Sequence, residues 1–145
     1  MTRWSFIRAK LVVWQYMEAN FAWACASVVG VVFIFAGIQK LLAGIEWLVQ
    51  AKQLRPPRIA QPFVPMVPYI ELIVGGLLIV GMQELPVRIA AIILLSSFTV
   101  LLVARLAAGE RPPCACFSFR STRPIGWSNV TRNAGLLALL VASIV

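Results

Sequence analysis

Four stretches of roughly twenty residues, each nearly free of charge, leave this chain few folds to adopt, because about 20 apolar residues are what a helix needs to cross about 30 Å of hydrocarbon. The runs lie at about 21–43, 64–82, 87–108 and 128–145. The chain is 61% hydrophobic and 12% charged, with a mean hydropathy of +0.88. Soluble domains carry about twice that charged share. A water-soluble fold of this size could not hide so much apolar surface, so lipid must be the solvent for much of it. The expectation is all-α: an integral membrane, antiparallel four-helix bundle, with residues 1–145 as one domain.

Residues 1–20 mix aromatics with Arg3, Arg8 and Lys10 and read as an interfacial helix or an extension of the first span. Span one is uncharged until Lys40, whose stem can reach the interface. The stretch 44–63, with Lys52, Arg55, Pro56, Pro57, Arg58 and Pro62, reads as a loop. Span two opens with Pro65 and Pro68, tolerated in a first turn. Gly75, Gly76 and Gly81 would let a neighbouring helix come close. The short turn Gln83–Pro86 joins spans two and three as a hairpin, and Gly109 with Pro112-Pro113 stops span three. Ser128 is the expected N-cap of span four, which carries Arg132 and Asn133 in its first turns and is marginal in length.

Four spans put both chain ends on one side. Lys40, Glu71, Cys114, Cys116, Arg132 and Asn133 then gather toward the other. The net charge of +8 is best read as loop Arg and Lys beside anionic headgroups. No basic patch interleaved with exposed aromatics points to nucleic acid, so none is expected as a partner.

The chain has no His and no Asp, which removes His-dependent zinc sites, His-activated nucleophiles and His-ligated haem. Chemistry must rest on Cys25, Cys114 and Cys116, or on a group the sequence does not announce. Cys114-Ala115-Cys116 could close a small strained ring, and strained disulfides tend to be oxidising and labile. Arg111, Arg120 and Arg123 would favour a thiolate, while the carboxyl end of span three opposes one. With Glu110 alone nearby, the two thiolates make a poor ligand set, and no metal is expected. Cys25, some fifteen residues from Lys40 at 1.5 Å each, reads as a small core residue far from the pair. Glu71 within span two needs a partner, for which Lys40 and Arg132 are candidates. Asn133 is a candidate interhelical hydrogen-bond former.

Phe35-Ala36-Gly37-Ile38-Gln39-Lys40-Leu41, Pro68-Tyr69-Ile70-Glu71 and Gly75, then Cys114-Ala115-Cys116-Phe117, Pro124-Ile125-Gly126-Trp127 and Arg132-Asn133 resemble the MauE (methylamine utilisation protein) family among DoxX-like membrane proteins. Ser118 stands where the family pattern usually has Gly. The resemblance implies a redox-associated four-helix membrane protein that works with a thioredoxin-like partner in disulfide formation or maturation of exported proteins. On that reading Cys114 and Cys116 carry the chemistry, and Lys40, Glu71, Arg132 and Asn133 form a supporting polar cluster. Whether the chain is itself an enzyme, a thiol–disulfide oxidoreductase component, stays open. No cofactor is required by the sequence; a quinone is compatible with it. The rival reading is a non-catalytic accessory or scaffold subunit of a larger membrane complex.

The expected placement is the cell (inner) membrane, and the loop charges conflict with the resemblance over the side of the cysteine loop. Lys52, Arg55, Arg58, Arg111, Arg120 and Arg123 outnumber Arg3, Arg8, Lys10 and Arg88, which would put the cysteine loop in the cytoplasm. The implied role wants it outside, where disulfides persist, and the resemblance tips the reading outward.

Overall fold

The computed structural model describes residues 3–82, 85–113 and 124–145. Cys114, Cys116, Arg120 and Arg123 lie outside the described residues. The described chain folds into helices α1 (Arg3–Ala43), α2 (Ile45–Gln53), α3 (Val67–Val80), α4 (Leu85–Ala107) and α5 (Trp127–Ile144), with a 3-10 helix at Gln61–Met66 before α3.

Helix α1 continues unbroken from the N-terminal segment into the first span. Its 41 residues measure about 60 Å at 1.5 Å each, twice the hydrocarbon thickness. Residues 4–21 are exposed throughout. From Cys25 onward one face is buried: Cys25, Ala26, Val29, Gly30, Phe33, Ala36, Gly37 and Lys40 recur at helical spacing. That stripe packs along α3, and α1 also touches α5. Helix α4 packs on α5 and on α3.

The α1–α3 contact brings backbones together. A Cβ on Gly30 would stand 2.7 Å from the Gly75 carbonyl oxygen, and a Cβ on Gly75 would stand 2.7 Å from that of Gly30. A Cβ on Gly37 would meet the Pro68 carbonyl at 2.9 Å. Small residues are what permit such an approach in lipid. Of the three glycines expected in this role only Gly75 has it. Gly76 has open space around it, and Gly81 ends α3 in the left-handed conformation at φ 89°.

The stretch 44–63 differs from a plain loop. Gly44 at φ 55° turns the chain sharply, and α2 follows, burying Trp47, Ala51 and then Leu54. Spacing of four and three places these on one face of a short amphipathic helix. Pro56 and Pro57 prevent its continuation. Pro65 sits inside the 3-10 helix, so α3 begins only at Val67.

Among the described residues, three helices are long and apolar enough to cross a membrane: α1, the 3-10 helix with α3 (Gln61–Val80), and α4. The segment expected as a fourth span folds as helix α5 but is not among these three, because Asn129, Thr131, Arg132 and Asn133 dilute its apolar character. Its N-cap is Gly126, with no side-chain cap, and Ser128 lies within the first turn.

Candidate functional site: a buried polar layer beside the cysteine-loop stem

Two apolar clusters fill the interior. One joins Ala26, Val29 and Phe33 to Val74, Leu78, Leu95 and Leu136. The other joins Trp47, Ala51 and Leu54 to Leu102 and Ile125, with Val67 and Val130 packed against it. On each of the four long helices a polar residue falls between the two in sequence. Lys40 follows Phe33 and precedes Trp47, and Glu71 lies between Val67 and Val74. Thr99 lies between Leu95 and Leu102, and Asn133 between Val130 and Leu136. Helical geometry thus stacks a thin polar layer between two greasy ones.

Within that layer the Lys40 ammonium donates to Glu71 Oε1, and both side chains are 3% exposed. The ammonium also lies 4.7 Å from the Phe98 ring centroid and 5.9 Å from that of Trp47. A desolvated cation over an aromatic ring gains about 2 kcal/mol or more. Glu71 Oε2 is buried and has no hydrogen-bond partner among the described residues. Glu71 and Lys40 also line a cavity of about 10 Å³ with Phe33, Leu95, Phe98 and Asn133, roughly the size that admits one water molecule. Asn133 Nδ2 donates to Thr99 Oγ1 at 3.3 Å, and Thr99 Oγ1 donates to the Leu95 carbonyl at 2.7 Å. The half-buried Arg132 donates to Asn133 Oδ1 at 3.4 Å.

The structure therefore brings Lys40, Glu71 and Asn133 to one level and sets Arg132 at its edge. Between the two candidates for Glu71, its ion-pair partner is Lys40. Thr99, Phe98 and Trp47 complete the layer and carry no charge that would have flagged them in the sequence. Cys25 is a buried free thiol in α1.

The feet of the cysteine loop are described. Ile125 N–H donates to the Pro112 carbonyl at 2.9 Å, and Pro113 pairs with Pro124 in an antiparallel bridge. Ile125 is fully buried against Trp47 and Leu54, next to the polar layer. Glu110, just before the stem, accepts from Arg105 at 3.1 Å and lies 3.5 Å from Arg55. It links the ends of α4 and α2, and Arg111 beside it is exposed.

A family model described as methylamine utilisation protein MauE matches residues 18–145. No curated protein and no solved structure matches the chain.

Proposed function

Since the chain belongs to the methylamine utilisation protein MauE family, we propose that it is a membrane thiol–disulfide redox component acting with a thioredoxin-like partner in disulfide formation or maturation of exported proteins. Helices α1, α3, α4 and α5 form a four-helix bundle in the inner membrane, and the cysteine loop faces outward. Cys114 and Cys116 cycle between disulfide and dithiol. A partner thiolate attacks one sulfur, a mixed disulfide forms, and the second partner thiol displaces it. The partner leaves oxidised and the pair is left as two thiols. Lys40, Glu71, Arg132 and Asn133 brace the helix ends beneath the loop.

The observation that supports this most is the stem. Pro112–Ile125 and Pro113–Pro124 pair across the loop's two feet. The foot at Ile125 is sunk in an apolar cluster that adjoins a desolvated polar layer. Such a base suits a loop that must present two sulfurs repeatedly in one geometry. The test is Cys114→Ser with Cys116→Ser. Loss of client disulfides at unchanged protein level is expected. Full client maturation would reject the redox role. Thiol labelling from each side of intact cells, with and without reductant, reads the loop's side and redox state together.

One observation favours the accessory-subunit alternative. The first half of α1 exposes Trp4, Phe6, Trp14, Tyr16 and Phe21, and that surface suits a helix of another membrane protein. The cysteine variants separate the two readings, because a scaffold would tolerate them.

A further inference from the structure

Continuous turnover of the proposed exchange has a chemical requirement. Each cycle leaves Cys114 and Cys116 reduced, and rebuilding their disulfide releases two electrons and two protons. The chain has no His, and no cluster of three potential metal ligands occurs among the described residues. An acceptor of two electrons and two protons that dissolves in lipid would meet the need.

A pocket of about 260 Å³ lies on the loop side of the molecule, roofed by α2 and the 3-10 helix and walled by α3 and α4. Its size is just below the range of about 300–1,000 Å³ found for drug-sized ligands, which fits one substituted ring with part of a tail. Trp47, Phe63 and Phe98 line it, together with Leu54 and Leu94, and the polar side chain at its rim is Ser97. Flat aromatic walls favour a flat ring over a flexible chain, since offset or edge-on ring pairs add about 0.5–1.5 kcal/mol beyond burial. Phe63, Ile70 and Ser97 at the rim are exposed. In a membrane-spanning molecule this opens the pocket sideways to the bilayer.

Two links tie this pocket to the loop. Trp47 and Leu54 of its wall belong to the same buried cluster as Ile125, the residue after Pro124 of the stem. Trp47 and Phe98 are also the rings that hold the Lys40 ammonium, so the pocket shares a wall with the polar layer.

We infer that this pocket binds the ring of a lipid-soluble quinone, which takes up the electrons of the Cys114–Cys116 pair. The inference rests on the thiol–disulfide reading for its purpose, but not for its binding test. In the step itself the two S–H bonds break and one S–S bond forms. The two electrons and two protons pass to the quinone, whose two carbonyl oxygens become hydroxyls.

The experiment is titration of the full chain, in lipid nanodiscs, with decylubiquinone, read by quenching of tryptophan fluorescence. Saturable quenching is expected. Ala60→Trp, which fills the pocket from its half-buried roof, should weaken binding about tenfold or more, equivalent to about 1.4 kcal/mol. Phe63→Leu removes an exposed aromatic wall without touching the core and should weaken it several-fold, with the thermal unfolding midpoint unchanged. Non-saturable quenching overturns the inference. So does equal competition by decanol, which would mean that an acyl chain is the occupant. Insensitivity to both substitutions overturns it as well.

The Cys114→Ser, Cys116→Ser protein separates this from the function above. It should bind decylubiquinone normally yet fail to reduce it when given a reduced thioredoxin-like dithiol. Binding without any reduction by the unmodified chain would sink the redox function and leave the pocket. Dithiol exchange without saturable binding would sink the pocket alone.

Discussion

Replacing Glu71 by Leu should destabilise the bundle severely, and replacing Lys40 as well should restore most of the loss. Both side chains are 3% exposed, so neither charge is solvated by water when its partner is removed. Deleting one member of a buried pair typically costs about 3–5 kcal/mol, whereas exchanging both for apolar residues of similar size is near neutral or stabilising. In Glu71→Leu the ammonium keeps Phe98 at 4.7 Å and Trp47 at 5.9 Å, which offsets part of the penalty. The loss should therefore fall near the lower figure, about 3 kcal/mol. In the double variant Lys40→Met, Glu71→Leu, stability should return to within about 1 kcal/mol of the parent; with each single variant costing about 3 kcal/mol, the coupling is about 5 kcal/mol. Reversible unfolding in mixed detergent and SDS micelles, followed by circular dichroism, measures all four corners of the cycle. A single substitution costing under about 1 kcal/mol, or a double costing the sum of the singles, would refute a tightly desolvated pair at this position.

Three further outcomes follow from the packing. Gly30→Ala and Gly75→Ala should each destabilise the fold, because the added carbon meets a carbonyl at 2.7 Å, while Gly76→Ala faces open space and should gain up to about 1 kcal/mol from helix propensity; the same unfolding assay ranks the three. Asn133→Leu should cost about 0.6 kcal/mol and at most about 1.7, the range for interhelical hydrogen bonds in membranes, since it severs the tie to Thr99. Arg55→Gln should change stability by less than about 1 kcal/mol, because Arg55 is 70% exposed and its contact with Glu110 is 3.5 Å long.

What could be read from the sequence was decided by charge and hydropathy. Lys40 and Glu71 stand out because ionisable residues are rare in apolar runs, and they meet as an ion pair. The residues around them are ordinary in composition. Thr99 and Phe98 look like any other residues of an apolar helix, and their place in the layer depends on which face of α4 packs inward. Gly30 and Gly37 make the close approach that the sequence assigns to Gly75, Gly76 and Gly81. The signal that could have found them is their alignment with Ala26 and Ala36 on the buried face of α1. Helix α2 is masked in the sequence by Lys52, Arg55 and the three prolines Pro56, Pro57 and Pro62, which dominate the composition of 44–63, although Trp47, Ala51 and Leu54 already trace one helical face. The last helix shows the opposite effect. Its apolar second half reads as a span of marginal length, but Asn129, Thr131, Arg132 and Asn133 leave it short of the apolar character that the other three possess.

The uninterrupted course of α1 makes it a mast. Residues 4–21 are exposed throughout, and no glycine or proline interrupts the step from Phe21 to Cys25, where burial begins. Its upper half is therefore locked in height and azimuth to the bundle. One extra residue spliced in near position 20 would swing Trp4, Phe6 and Trp14 through about 100° and lift them by about 1.5 Å, while leaving every contact below intact. Any neighbour that reads those rings would lose its register, though the bundle itself would be unchanged.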